Sequence, residues 1–197
     1  MKQCLASVVV GLTLLCLTPL ALAQSAASAD ESPQRYIVEV VLFTQPPMGE
    51  ARLEQADESA TPLPDRPSWP LAAAGDGLTD YDPLPASRRT LARTARRINA
   101  RDGFAVHWHA IWEQPGMSRA AAQPVALPEL TGIPGLRGYL KISRERFRHA
   151  RIELRYAQDE SAHWVMSQSR RLRGDQPHYF DHPILGAVIR VAPVAAD

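Results

Sequence analysis

Residues 169–191 read SRRLRGDQPHYFDHPILGAVIRV, and no other part of the chain mixes charged, aromatic and β-branched residues so densely. Gly174 and Asp175 are typical of a tight turn. Residues 184–191 favour a strand, because valine and isoleucine recur there with a period near two. The segment predicts a terminal β-hairpin with arginines on one arm and aromatic residues and histidines on the other.

The segments before this hairpin predict further strands and one helix. Residues 35–44 (RYIVEVVLFT) predict an inner strand, because apolar residues occupy both of its faces. Glu39 interrupts this strand, and we interpret it as a strand-edge acid paired with an arginine rather than as a catalytic carboxylate. Strands are expected at residues 136–143, 147–156 and 164–172, the last following a turn at residues 158–161. Together with the terminal hairpin they predict a meander of four or five antiparallel strands.

Residues 87–100 predict the clearest helix, with Ser87 as its cap and an apolar stripe formed by Leu91, Ala95 and Ile98. The order of strand, helix, strand and meander indicates an α+β fold. We expect an antiparallel sheet built from the N-terminal strand and the C-terminal meander, one main covering helix and a long proline-rich loop at residues 45–86. Within that loop, residues 49–58 predict a short helical turn.

The N-terminus has the features of a cleaved signal peptide. Residues 1–23 combine Lys2, an apolar run and a small-x-small site ending at Ala23. The apolar run is shorter than the roughly 20 residues of a spanning helix, so we expect no transmembrane anchor after cleavage. Residues 24–34 predict a disordered leader, and residues 35–197 a single domain.

The positions of the cysteines and the distribution of charge argue against some classes of function. Cys4 and Cys16 both lie in the predicted signal, so the remaining chain has no disulfide and no cysteine metal site. Residues 24–86 carry 11 acids and 3 bases, whereas residues 87–197 carry 10 acids and 18 bases. This polarity fits a binding protein. Export and the lack of a nucleic-acid motif argue against nucleic acid as a partner.

The chain shows no nucleophile elbow, phosphate-binding loop or HExxH sequence, so we expect no cofactor and no enzymatic activity. One alternative stays open. In residues 104–113 (FAVHWHAIWE), alternation places Phe104, Val106, Trp108, Ala110 and Trp112 on one face and both histidines on the other. His107 and His109 therefore have the geometry of a metal pair, which His178 or His182 with Asp181 would complete.

The candidate binding residues lie in the terminal segment. Arginines grip carboxylates in a bidentate fork, and aromatic rings pack on sugars. We expect the ligand-binding set to be Arg170, Arg171, Arg173, His178, Tyr179, Asp181 and His182. In the proline-rich loop, Trp69 between Ser68 and Pro70 either pins the loop to the domain or stacks on a sugar.

Four segments of the chain resemble the CsiV family of periplasmic peptidoglycan-binding proteins from Gram-negative bacteria. They are RRLR at 170–173 with HYFDHP at 178–183 and Gly186; RYIVEVVLF at 35–43; WP at 69–70 with LP at 84–85; and HWHAIWEQP at 107–115 after the helix.

The resemblance implies a periplasmic, non-enzymatic regulator that binds peptidoglycan. It also implies support of a class A penicillin-binding protein through an outer-membrane lipoprotein activator. Two other functions stay open, a metal-dependent cell-wall hydrolase and a pure protein-interaction adaptor.

Overall fold

The protein is seen in a computed structural model that describes residues 33–47, 80–157 and 163–195. The strands are β1 (Arg35–Thr44), β2 (Asp82–Pro83), β3 (Ala105–Pro115), β4 (Val125–Ala126), β5 (Leu136–Arg144), β6 (Arg148–Ala157), β7 (His163–Leu172), β8 (His178–Asp181) and β9 (Leu185–Pro193). Helix α1 spans Ala92–Asn99, after a 3-10 turn at Ala86–Arg88.

The strands form two antiparallel sheets. Sheet one has the order β2-β3-β1-β9-β8, and sheet two has the order β4-β5-β6-β7. The sheets pack face to face on one apolar core, to which sheet one contributes Trp112 and Ile189 and sheet two contributes Leu140, Ile152 and Met166. The predicted α+β class is confirmed, with antiparallel strands and one short α-helix.

Strand β1 is an inner strand, as predicted, because β3 and β9 pair with its two edges. One face of β1, which includes Val38 and Leu42, packs in the core between the sheets. The other face, which includes Val41 and Phe43, packs beneath helix α1. Burial on both faces explains why this strand is apolar nearly throughout.

The meander is confirmed for three strands, since β5, β6 and β7 pair in sequence order. The expected single sheet of N-terminal strand and meander is wrong, because β1, β8 and β9 lie in sheet one and the three meander strands lie in sheet two. The predicted terminal hairpin is wrong in its pairing. Gly174 does form a tight turn with a positive φ of 57°, but this turn carries the chain from sheet two to sheet one. The hairpin at the C-terminus is β8 with β9. Leu172 of β7 and Phe180 of β8 enter the same core from different sheets, so β7 and β8 are not paired with each other.

Helix α1 covers sheet one, and its predicted stripe of Leu91, Ala95 and Ile98 packs on β1. The helix begins five residues later than predicted, and Ser87 lies in the preceding 3-10 turn without capping α1. Glu39 explains the late start. Its carboxylate accepts hydrogen bonds from the backbone N–H groups of Thr90 and Leu91, each at 2.9 Å.

A β-bulge in β3 changes which residues share a face. Leu42 pairs with Trp108 but Phe43 pairs with Val106, so His107 is the extra residue on β3. Val106 therefore packs under the helix, whereas Trp108 packs against the core between the sheets. The prediction of one continuous aromatic face is wrong, because a bulge inserts one residue into the alternation.

Several predictions lie outside the described residues. They are the signal peptide, all but the last two residues of the leader, the helical turn at 49–58, the Trp69 segment and the turn at 158–161. Within the described ranges, no helix has the length and apolar character needed to cross a membrane.

Candidate functional site

The outer face of sheet two is rich in polar and basic side chains. Leu140, Ile152 and Met166 point into the core, so their sequence neighbours on β5, β6 and β7 point away from it. The outward set includes Arg137, Tyr139, Lys141, His149, Arg151, Glu153, Arg155, Ser169 and Arg171. Only one of these nine side chains is acidic, so the face has a strongly positive potential.

A groove opens where β5 turns into β6 and where β7 ends. Its volume is about 430 Å³. We call it the arginine groove, and it is defined by Arg144, Arg146, Phe147, Arg148, Arg171 and Arg173. Tyr36 and Pro193 of sheet one complete its wall. Five guanidinium groups in so small a volume suit a ligand with several negative charges.

Phe147 holds two of the guanidinium groups of the arginine groove. The Cζ atom of Arg171 lies 3.1 Å from the centroid of the ring, and that of Arg146 lies 5.3 Å from it. These are cation–π contacts, which fix the plane of a guanidinium. The N–H edges of a guanidinium stacked in this way stay available for a carboxylate.

Arg148 is the arginine of the groove that the fold itself uses. Its guanidinium pairs with Asp175 at 3.1 Å and donates to the carbonyl oxygens of Gly174 and Val191. The remaining four, Arg144, Arg146, Arg171 and Arg173, form no ion pair with any carboxylate of the described ranges. The groove therefore holds more positive charge than the described structure neutralises.

The structure separates the predicted ligand-binding residues into three groups. Arg171 and Arg173 lie in the arginine groove. Arg170 has a structural environment instead. It donates to the carbonyl oxygen of Tyr179 at 2.7 Å and lies over the ring of Phe180, which connects β7 to β8.

The other four predicted residues lie on β8 or directly after it. The Nε2 atom of His178 is 3.1 Å from the backbone nitrogen of Arg173. His182 packs edge-on against Trp164, with ring centroids 6.0 Å apart. Tyr179 and Asp181 form a separate cluster, in which the tyrosine hydroxyl lies 2.7 Å from the Oδ1 atom of Asp181.

Tyr179 has a strongly shifted pKa. Burial of the ring raises it, and the hydrogen bond to Asp181 raises it further, to about 12. The ring stacks on Phe43 with an interplanar angle of 11°. The hydroxyl also lies 3.0 Å from Gln45 Oε1. Tyr179 is thus held in place by contacts within sheet one.

Sequence reasoning missed three arginines and the aromatic residue of the groove. Arg144, Arg146, Phe147 and Arg148 lie in the segment RERFR at 144–148. The signal was the concentration of three arginines around a predicted turn between two strands. Its importance depends on β7 bringing Arg171 and Arg173 to the same place, which no local pattern shows.

The histidines of β3 have separate partners. His107 lies 2.9 Å from the hydroxyl of Thr44, and burial lowers its pKa. His109 lies 2.8 Å from the carboxylate of Glu39. Across the described parts of the chain, no three histidine, cysteine, aspartate or glutamate side chains come close enough together to hold a metal ion.

Glu39 is completely buried, and its predicted pairing with an arginine is wrong. Its partners are His109, the hydroxyl of Thr90 and the backbone N–H groups before helix α1. Burial alone raises its pKa, but these hydrogen bonds outweigh burial and lower the pKa below its usual value. A buried carboxylate so fully bonded holds the helix in place.

A family model described as "Peptidoglycan-binding protein, CsiV" matches residues 7–194. The match covers both sheets, the helix and every residue of the arginine groove. No curated protein and no solved structure matches the chain.

Proposed function

This chain belongs to the CsiV family of peptidoglycan-binding proteins, and we propose that it grips the peptide stems of peptidoglycan in its arginine groove. The observation that carries the proposal is the cluster of arginines without described carboxylate partners. Peptidoglycan is an anionic polymer whose peptide stems bear free carboxylates. Arginine binds a carboxylate through two parallel hydrogen bonds, which gives both strength and geometry.

We also propose that the protein is non-enzymatic and acts in the periplasm. The family is one of binding proteins, which supports the non-enzymatic part of the proposal. The metal-dependent hydrolase is the competing function. Release of soluble muropeptides from sacculi by the purified protein would establish it.

We also propose that the bound protein supports a class A penicillin-binding protein through an outer-membrane lipoprotein activator. This step rests on the family resemblance of the sequence. Cross-linking of the protein in intact cells tests it, with capture of the synthase or its activator as the expected result. A protein that captures these partners but never binds sacculi would instead be a pure adaptor.

Co-sedimentation with purified murein sacculi tests the groove. Each lost charge-assisted hydrogen bond removes about 1.5–3 kcal/mol, so we expect Arg171→Ala with Arg173→Ala to weaken binding at least about tenfold. The matched control is Arg93→Ala with Arg97→Ala, which removes the same charge from exposed positions on helix α1.

The two variants separate specific binding from general charge attraction. The helix variant should bind sacculi nearly as well as the original protein. An equal loss in both variants would show that sacculi respond to overall charge and not to the groove. No binding by the original protein would overturn the proposed function itself.

A further inference from the structure

A second cavity lies on the outer face of sheet two, beside the arginine groove. Its volume is about 400 Å³, which is at the small end of the range for ligand sites in proteins. We call it the outer-face pocket, and it is defined by Arg119, Tyr139, Lys141, Ser143, His149 and Arg151. Ser169 of β7 adds a further hydroxyl.

The chemistry of the outer-face pocket favours an anion. Its lining contains two arginines, a lysine and several hydroxyl groups, and no carboxylate is part of it in the described structure. Two acids lie at its margin. Glu145 accepts from the backbone N–H of Arg119 at 3.4 Å, and Glu153 orients a cation of the pocket. Glu153 accepts from Arg151 at 2.7 Å and from the hydroxyl of Ser167 at 2.9 Å. The hydrogen bond to Glu153 raises the pKa of Arg151, so this guanidinium stays charged.

The pocket and the groove share a wall. His149 lines the pocket and pairs directly with Arg171, which lines the groove. Paired residues on adjacent strands have their Cβ atoms about 5 Å apart. The Nδ1 atom of His149 also lies 3.1 Å from the carbonyl oxygen of Phe147, which belongs to the groove. An elongated ligand can therefore extend from the outer face of sheet two, past His149 and Arg171, into the groove at the end of that sheet.

The spacing of the two cavities sets the spacing of the charges that they recognise. Ser169 and Arg171 are two residues apart on β7, which is about 7 Å. Lys141 lies on β5, which is two strand spacings, or about 10 Å, from β7. An extended peptide covers about 3.5 Å per residue. Carboxylates two to four residues apart thus match the two cavities.

We infer that the outer-face pocket and the arginine groove form one two-point site for a peptide that carries two carboxylates. This inference rests on the proposed function, and it specifies which part of peptidoglycan is read. One carboxylate lies in the groove among the arginines, and the other lies in the pocket near Lys141 and Arg119. Because the first contact makes the second intramolecular, a peptide with both charges binds far more tightly than one with either alone.

Calorimetric titration of the purified protein with synthetic tetrapeptides tests the inference. One peptide has free carboxylates on the side chain of its second residue and at its C-terminus. Two others each have one of these groups amidated. We expect the dicarboxylate to bind at least about tenfold more tightly than either amide, since each lost charged hydrogen bond costs about 1.5–3 kcal/mol.

The variant Lys141→Gln tests whether the outer-face pocket holds the second carboxylate. It should lose most of the preference for the dicarboxylate, while at least one of the monoamides binds as it does to the original protein. The matched control is Arg137→Gln, which removes the same charge from the same face of β5 outside the pocket. Arg119→Gln, in the segment before β4, is a second pocket variant that leaves the sheets intact.

Three results would overturn the inference. The first is equal binding of the dicarboxylate and both amides. The second is an equal effect of Lys141→Gln and Arg137→Gln. The third is competition by inorganic phosphate as strong as that of the dicarboxylate at the same concentration, which would identify a phosphate site. Each of these is compatible with sacculus binding by the original protein, so the proposed function is judged separately.

Discussion

The outer faces of the two sheets differ in how their polar groups are satisfied. On sheet one, helix α1 packs on Val41, Phe43 and Val188. The buried carboxylate of Glu39 beneath the helix is hydrogen-bonded to Leu91 and His109. On sheet two, the outer face is rich in basic and hydroxyl side chains, which line the outer-face pocket and contribute Arg171 to the arginine groove. Polar groups that are buried stabilise the fold, whereas polar groups on the exposed face remain available to bind a ligand.

Two adjacent arginines show the same contrast within one strand. Arg170 points toward sheet one and is bonded to the backbone of β8. Arg171 points away from the core and lies on Phe147 in the arginine groove. The two residues have the same chemistry and differ by one position, yet the alternation of β7 gives them different roles.

The largest effect that we expect concerns the buried acid of sheet one. Glu39→Ala leaves two backbone N–H groups and His109 without their acceptor. Removing one member of a buried, hydrogen-bonded charge network costs about 3–5 kcal/mol. Urea unfolding at neutral pH measures this loss. The matched control is Glu113→Ala, whose carboxylate pairs with the part-exposed Arg35 and should cost less than about 1 kcal/mol.

The stabilisation that Glu39 provides should also depend on pH in a definite direction. The pKa of Glu39 is lowered in the folded protein, so its stabilisation is present above the ordinary glutamate pKa and is lost as the pH falls through the folded value. The difference between the original protein and Glu39→Gln should shrink in acid. A difference that grows in acid, or a Glu39→Ala protein as stable as Glu113→Ala, would contradict the structural role.

The sequence predicted those parts of the fold that local patterns determine. Alternation located β1 and the meander strands to within two residues, and the stripe of Leu91, Ala95 and Ile98 located the helix. Long-range contacts determined the rest. The start of α1 depends on Glu39, 51 residues before Thr90. The bulge at His107 depends on pairing with β1.

The candidate site, like the fold, could be predicted from the sequence only in part. Arg171 and Arg173 were identified from the sequence, because arginine binds carboxylates through a bidentate fork. Lys141 and His149 were not identified. Only the pairing of β5 with β6 and of β6 with β7 brings these residues together. Pairing partners follow from the whole fold and not from the strand itself.

The second-largest effect concerns the salt dependence of sacculus binding, which we expect for the arginines of sheet two and not for the buried contacts of sheet one. Raising the salt concentration from about 0.1 M to about 1 M shortens the Debye length from about 10 Å to about 3 Å. The exposed arginines of the groove should then bind sacculi about tenfold more weakly, a change of about 1.4 kcal/mol.

Urea unfolding in the same salt series is the control, because the buried contacts of Glu39 are screened much less. Stability should therefore change by less than the binding does. Sacculus binding that does not respond to salt would mean that the arginines of sheet two are not the contact, and it would remove the difference between the two faces.

The smallest effect concerns Tyr179, which lies at the edge of sheet one and was predicted as a ligand-binding residue. The residue is 42% exposed, yet burial of the remainder and the hydrogen bond to Asp181 raise its pKa to about 12. The stabilisation that accompanies this raised pKa is present below the ordinary tyrosine value of about 10 and is lost as the pH rises toward 12. Ultraviolet titration, with Tyr179→Phe subtracted, measures the pKa, and Asp181→Asn should move it back toward 10. If Tyr179 titrates at its ordinary value, Asp181 does not hold the hydroxyl, and this edge of sheet one is free to bind a ligand as the outer face of sheet two is.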